Sequence, residues 1–95
     1  MHERVIDSAG NVFSDLGFSP EEATLLAMRA KLMADLRDTI ARRGWTQVQA
    51  ARELGVTQSR ISDLARGKWD KFSLDMLVTL AVRSGQQVQI EVAVS

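Results

Sequence analysis

Residues 46–67, TQVQAARELGVTQSRISDLARG, contain two short helical patterns separated by a glycine. Thr46 and Gln49 have the spacing of a capping box at the start of the first pattern, and Thr57 is placed to cap the second. Gly55 supplies the positive φ that a tight turn needs. Four apolar residues face inward from the two patterns: Ala50, Leu54, Ile61 and Leu64. The stretch therefore predicts two helices at a steep angle joined by a connection of about three or four residues, a helix–turn–helix.

The helix that precedes this stretch is long and has signals at both ends. Ser19 is placed as its N-cap, Pro20 occupies the first helical position, and Glu22 follows the cap by three residues. Gly44 is a stop signal. We therefore predict one helix over roughly residues 20–43. Its apolar face is predicted to carry Leu25, Leu32, Leu36 and Ile40, with Met28 and Met33 beside them.

The segment after the fourth predicted helix, which begins after Ser73 and stops at Gly85, has a different pattern. Residues 87–94, QVQIEVAV, alternate between polar and apolar positions, which predicts a β-strand. Its apolar side carries Val88, Ile90, Val92 and Val94. Because a lone strand has unpaired N–H and C=O groups along both edges, we expect two copies to pair antiparallel in a homodimer. A frayed terminal segment is the alternative.

Composition limits the chain to one domain and excludes several classes of protein. With 95 residues, 45% of them apolar, it is too short for two cores of normal size. The formal net charge is zero, but residues 42–71 hold seven Lys/Arg against three Asp/Glu. Such local positive charge suits a polyanion at one surface. With no cysteine and His2 as the single histidine, we expect no disulfide, no metal site, no cofactor and no enzyme activity. We also expect no membrane segment and a cytoplasmic location.

The exposed side of the third helix is polar. At 100° per residue, the side opposite Ile61 and Leu64 carries short hydrogen-bonding groups and one arginine. These residues are Ser59, Ser62, Asp63 and Arg66, with Gln58 at the exposed beginning of the helix. An ordinary solvated amphipathic helix is the alternative interpretation, but this face lacks the Glu/Lys pairs typical of one.

The motif and its flanks together resemble a known family. Residues 46–67 resemble the Xre/Cro-type helix–turn–helix of phage repressors. NVFSDLGF, RGKWDKFSLDML and QVQIEV are similar to segments of its antitoxin branch, proteins of the HigA kind encoded beside a RelE-like toxin. The resemblance implies a mainly α fold, a lambda-repressor-like bundle of four to five helices with one C-terminal β-strand used in dimerisation. We expect an N-terminal arm (1–18), a helical domain (19–86) and a dimerisation strand (87–95).

The resemblance also assigns roles to residues. The third helix would enter the major groove of a palindromic operator, with Gln58, Ser59, Ser62 and Asp63 nearest the base edges. Thr46 and Gln47 would hold a phosphate, and Arg60, Arg66 and Lys68, with Lys71 as a further candidate, would supply positive charge along the DNA backbone. The full expected set of DNA contacts is Thr46, Gln47, Thr57, Gln58, Ser59, Arg60, Ser62, Asp63, Arg66 and Lys68.

The expected function is sequence-specific repression by the antitoxin of a type II toxin–antitoxin pair, one that controls its own operon and neutralises a RelE/HigB-like toxin. Two alternatives remain open on the sequence. One is a free-standing phage-like regulator without a toxin partner. The other is a protein-interaction module that does not bind DNA.

Overall fold

The computed structural model describes residue 13 and residues 15–94 of the chain. Within this part the fold is mainly helical and has no strand. It contains four α-helices and one turn of 3₁₀ helix. In chain order they are α1 (Pro20–Arg43), α2 (Gln47–Leu54), α3 (Gln58–Ala65), the 3₁₀ turn (Trp69–Lys71) and α4 (Leu74–Arg83). This architecture is compatible with the predicted helix–turn–helix bundle. Most of the predicted N-terminal arm lies outside the described residues.

Helix α1 begins and ends at the predicted residues. The Ser19 hydroxyl accepts a hydrogen bond from the Glu22 N–H, and the Glu22 carboxylate accepts one from the Ser19 N–H. These bonds from the Ser19 backbone and side chain lower the pKa of the Glu22 carboxyl. Their contribution to stability is therefore present at neutral pH and is lost as the pH falls through the folded pKa. At the other end, Gly44 closes the helix in the left-handed region at φ 65°.

The buried face of α1 includes the predicted Met33 and Leu36 but differs from the predicted face at Leu25. Leu26, Met33 and Leu36 are buried, whereas Leu25 is 42% exposed. Leu32 and Ile40 are only partly buried against the core. Two adjacent leucines lie 100° apart on a helix, so only one of them fits beneath a packed neighbour. Tertiary packing buries Leu26 rather than Leu25, and the sequence pattern of α1 alone does not contain that information.

One core joins all four helices. Its fully buried side chains come from α1, from the two short helices and from α4, with Phe72 added by the loop before α4. The largest of them are Met33, Leu36, Leu54, Leu64, Leu77 and Leu80. Burying each such side chain contributes about 1.5–3 kcal/mol to folding. The short helices α2 and α3 are therefore held mainly by packing, because helices of about two turns are not stable alone.

Three arginines hold the C-terminal ends of three helices. Arg83 on α4 donates from Nη1 to the carbonyl of Leu54, the last residue of α2, at 2.9 Å. Arg37 on α1 donates to the carbonyl of Leu64 near the end of α3 at 3.2 Å. Arg43 at the end of α1 donates to the carbonyl of Ser84, directly after α4, at 3.1 Å. Carbonyls at helix C-termini lack partners within their helix, so a cationic donor satisfies both their hydrogen bonding and the helix dipole.

The C-terminal strand predicted over residues 87–95 is not seen. Residues 86–94 are neither helix nor strand, because a strand needs the ladder of a second strand and none lies among the described residues. Gln86 Nε2 instead donates to the Thr39 hydroxyl and, at 3.4 Å, to the Asp35 carbonyl. Val88 packs against the core, but Ile90, Val92 and Val94 are 61%, 92% and 100% exposed. The segment is anchored on α1 at its start and leaves its apolar side chains uncovered further along.

The turn between α2 and α3 depends on Gly55. Its φ is 70°, and its N–H donates to the Ala51 carbonyl to close α2. A Cβ atom at this position would lie 3.1 Å from Arg83 Nη1, the same nitrogen that bonds the Leu54 carbonyl. A side chain at residue 55 therefore meets both backbone strain and the arginine that holds the end of α2.

Gly55→Val is expected to lower the free energy of unfolding by about 1–3 kcal/mol, because a β-branched residue is strained at positive φ. Thermal or urea unfolding measures the loss. Gly44→Val is the matched control, since Gly44 has φ 65° but open space around its Cβ position. The loss at Gly55 should exceed the loss at Gly44 because of Arg83. A Gly55→Val protein that unfolds within a degree of wild type would contradict the assigned turn.

Candidate nucleic-acid interface

Helices α2 and α3 form a helix–turn–helix with capped N-termini. The Thr46 hydroxyl accepts from the Gln49 N–H at 3.1 Å, and Gln49 Oε1 accepts from the Thr46 N–H at 2.9 Å. The Thr57 hydroxyl accepts from the Arg60 N–H at 3.1 Å. The predicted inward-facing residues are all buried: Ala50, Leu54, Ile61 and Leu64. The caps and this shared packing fix the direction of α3 relative to the bundle.

The predicted polar face of α3 lies at the surface. Gln58, Ser59 and Arg66 are exposed, and Ser62 and Asp63 are half-buried. Gln58 is the first residue of α3, next to the Thr57 cap. Gln47 is likewise exposed at the first position of α2. The structure thus presents hydrogen-bonding side chains along one side of α3 and beside the N-termini of both helices.

Arg60 differs from the other residues of the predicted set. Its Nη1 donates to the carbonyl of Lys71 at 2.8 Å, and its guanidinium carbon lies 5.5 Å from the centroid of the Phe72 ring. The side chain therefore leaves α3 on the Leu64 side and joins it to the 3₁₀ turn. Arg60 fixes the loop that carries Lys68 and Lys71.

The loop after α3 places a group of cations beside the polar face. The Lys68 N–H donates to the Asp63 carbonyl at 3.0 Å, which ties the loop backbone to the end of α3. Gly67 makes the reversal at φ 70°. The side chains of Lys68 and Lys71 are exposed, and Trp69 between them is 40% exposed. Arg66, Lys68 and Lys71 therefore form a cationic border next to α3.

Some arginines are hydrogen-bonded to backbone carbonyls and others are exposed, and the net charge does not show this difference. Arg37, Arg43, Arg60 and Arg83 each donate to a backbone carbonyl within the fold. Sequence reasoning missed all four contacts, because three of them join residues 27 to 41 positions apart in the chain and the Arg60 contact joins residues 11 positions apart. No local pattern marks them. The exposed cations near α3 are therefore fewer than the count for residues 42–71 suggests.

The arrangement suits recognition of a polyanion. An exposed helix with short hydrogen-bonding side chains, next to lysines and an arginine, has what contacts with base edges and phosphates require. Among residue 13 and residues 15–94, no group of His, Cys, Asp and Glu is placed to hold a metal ion. In the same part of the chain, no helix has both the length and the apolar character needed to cross a membrane.

These features define a small helical protein built around an exposed helix–turn–helix. A family model described as a helix-turn-helix domain matches residues 12–93. Since the match spans most of the chain, the protein belongs to the helix-turn-helix domain family. No curated protein and no solved structure matches the chain. Membership of this family indicates DNA binding and regulation.

Arg60→Met is expected to lower the free energy of unfolding by about 0.5–1.5 kcal/mol, because the bond from its guanidinium to the Lys71 carbonyl is lost. Arg66→Met, six residues further on, is the matched control and should change stability by less than about 0.5 kcal/mol, since its side chain is exposed. Urea unfolding of the two variants provides the comparison. Equal losses at both positions would show that the Arg60 contact does not stabilise the loop.

Proposed function

We propose that the protein is a sequence-specific DNA-binding transcriptional repressor, acting in the cytoplasm, that reads its operator with α3. The observation that carries the proposal is the exposed polar face of α3, held by capped helices and bordered by Arg66 and Lys68. An α-helix fits the major groove of B-DNA, where each base pair presents a distinct pattern of donors and acceptors.

The proposed contacts fall into two classes. Gln58, Ser59, Ser62 and Asp63 meet base edges; Gln58 is suited to a bidentate contact with adenine, and Asp63 to the amino group of cytosine. The N-termini of α2 and α3, with Thr46, Gln47 and Thr57, meet phosphates through N–H groups and the positive end of the helix dipole.

The cations bordering α3 meet the phosphate backbone. Arg66, Lys68 and Lys71 are exposed beside the polar face. Such contacts fix orientation and add affinity for any sequence. We assign Arg60 a lesser role in this group, because its guanidinium is already bonded to the Lys71 carbonyl.

We further propose that the active form is a homodimer on a palindromic operator. The uncovered apolar side chains of Ile90, Val92 and Val94 support pairing between the C-terminal segments of two copies. Two α3 helices related by a two-fold axis would enter successive major grooves roughly 34 Å apart. A second linked half-site raises affinity by roughly 10²–10⁴ through effective concentration.

We propose, more specifically, that the repressor is an antitoxin for a RelE/HigB-like toxin. Its support is the resemblance of the segments flanking the helix–turn–helix to the HigA kind of protein. Co-expression with the adjacent open reading frame, followed by co-purification on a tag, tests this directly. We expect a small basic protein to co-purify and its growth inhibition to be relieved. Absence of such a neighbour would favour the free-standing regulator and leave the DNA-binding proposal intact.

Gln58→Ala is expected to weaken binding to a preferred duplex by about 1–3 kcal/mol and to relax the preference at one base pair. Lys68→Ala should instead weaken all duplexes alike and reduce the slope of log affinity against log salt by about one. Titrations against a duplex enriched from random sequence and against its scrambled version, at several salt concentrations, separate the two effects.

Both residues are exposed, so thermal unfolding should be unchanged and serves as the control for folding. If the base preference survives in Gln58→Ala, that residue does not read a base. If neither variant has lower affinity than wild type, the proposed interface is wrong. A protein-interaction module that does not bind DNA then becomes the better interpretation of the protein's function.

A further inference from the structure

The C-terminal segment forms one wall of an open groove. The other walls are α1 and α4, and the groove has a cavity volume of about 410 Å³. Its apolar lining comes from Met28, Leu32, Leu74, Val78, Val88 and Ile90. Lys31 and Asp35 lie on the α1 side of the groove and pair with each other at 3.4 Å. Gln86, Gln87 and Gln89 add polar groups to the lining, so the groove that runs alongside residues 86–90 is partly apolar and partly polar.

The exposure of the segment shows which of its sides is apolar and how much is uncovered. Val88 is partly buried on the core, so the side chains that alternate with it in an extended chain share its direction. Exposure then rises from Ile90 at 61% to Val92 at 92% and Val94 at 100%. Val92 and Val94, which lie beyond the residues that line the groove, are thus almost fully uncovered. A second copy of the segment supplies both the missing apolar contacts and the missing backbone partner.

Patterning restricts how two copies of the segment pair antiparallel. Residues directly opposite each other place their side chains on the same side of the ribbon. A register that sets Ile90 opposite Gln89 or Glu91 of the second copy puts polar groups on the apolar side of the ribbon. Apolar residues must therefore face apolar residues, and polar residues must face polar ones. The two-fold axis then lies between the two copies of one residue. That residue is the centre of the register and faces its own counterpart in the second copy.

Charge and anchoring select among these centres. A centre at Glu91 sets two carboxylates directly opposite each other, which is destabilising. Centres at Val88 or Gln89 set Val92 opposite Ser84 or Gln86, so this exposed valine gains no apolar partner, and the Gln86 side chain is already bonded to α1. A centre at Val92 leaves Val88 without a partner among the described residues. A centre at Ile90 avoids all of these costs and sets the Gln89 amide opposite the Glu91 carboxylate, which accepts its hydrogen bond.

We propose that residues 88–92 of two copies pair antiparallel in the single register centred on Ile90. In this register Val88 of one copy faces Val92 of the other. The two-fold axis repeats the contact, so the dimer contains this pair twice. Since Val88 lies against the core beside the groove, Val92 of the second copy covers the groove next to Leu32 and Val78. The groove and the exposed valines thereby complete each other across the dimer. The inference rests on the homodimer of the proposed function and gives its interface and register.

The chain has no cysteine, so single-cysteine variants report the register without background. Five variants are oxidised mildly and separated by non-reducing electrophoresis: Gln89→Cys, Ile90→Cys, Glu91→Cys, Val92→Cys and Val82→Cys. Val82 lies on α4 outside the groove and is 57% exposed, close to the 61% of Ile90, so its variant measures cross-linking by random collision. Directly opposite residues in an antiparallel pair have Cα atoms about 4.5–5.5 Å apart, within the range of a disulfide.

We expect Ile90→Cys alone to form the cross-linked dimer well above the Val82→Cys level. A mixture of Val88→Cys and Val92→Cys chains should cross-link to each other and not to themselves. Val92→Asp should weaken dimerisation about tenfold, whereas Val82→Asp should leave it unchanged, because two symmetry-related contacts at residue 92 are lost. Sedimentation velocity on the reduced proteins measures the dimer independently of cross-linking.

Each contrary result has a distinct meaning. A dimer that cross-links through Gln89→Cys, Glu91→Cys or Val92→Cys overturns the register. A dimer with no cross-link above the Val82→Cys level overturns the use of this segment as the interface. A wild-type chain that sediments as a monomer overturns the homodimer as well. DNA titration of the same variants tests the proposed role of α3 separately, because binding of a single half-site through α3 does not require the C-terminal segment.

Discussion

Core packing holds α2 and α3 in place, and the hydrogen bond from Arg83 to the Leu54 carbonyl is the polar contact that anchors the turn between them. It lies where α2 ends and the turn begins, and it anchors that end to α4. The neighbouring Gly55 has the positive φ that redirects the chain and leaves room for the guanidinium. Arg37 performs the corresponding role at the end of α3. With both C-terminal ends anchored to the long helices, the exposed face of α3 has one fixed orientation.

Because several arginines are bonded within the fold, a count of charged residues overstates the positive charge available to bind DNA. A zero net charge and a basic middle segment do not reveal that several guanidinium groups are bonded to carbonyls inside the fold. The cations left at the surface beside α3 are few, which suits a protein whose proposed DNA affinity comes from two linked half-sites rather than from one strongly basic surface. In the same account, Arg60 acts indirectly by holding the loop of Lys68 and Lys71.

Local signals predicted the parts of the fold that local chemistry controls. The capping boxes at Ser19 and Thr46, the glycine turn at residue 55 and the polar side of α3 lie within a few residues of the features that they determine. The burial of Leu26 rather than Leu25 depends on tertiary packing, and the arginine contacts depend on distant parts of the chain. The predicted strand needs a second chain for its hydrogen bonds, so a single chain shows only the pattern and the uncovered valines. Which bases the α3 side chains meet likewise depends on the DNA as well as on the protein.

The most direct test of the central claim is selection of duplexes from a random-sequence pool by the wild-type protein, followed by hydroxyl-radical footprinting of the enriched sequence. The account predicts an enriched palindrome with two protected regions about one helical turn apart, roughly 34 Å. The same selection with Gln58→Ala should lose the preference at one position in each half. Retention of the pool without any sequence enrichment, or no retention at all, would contradict the claim that α3 reads DNA.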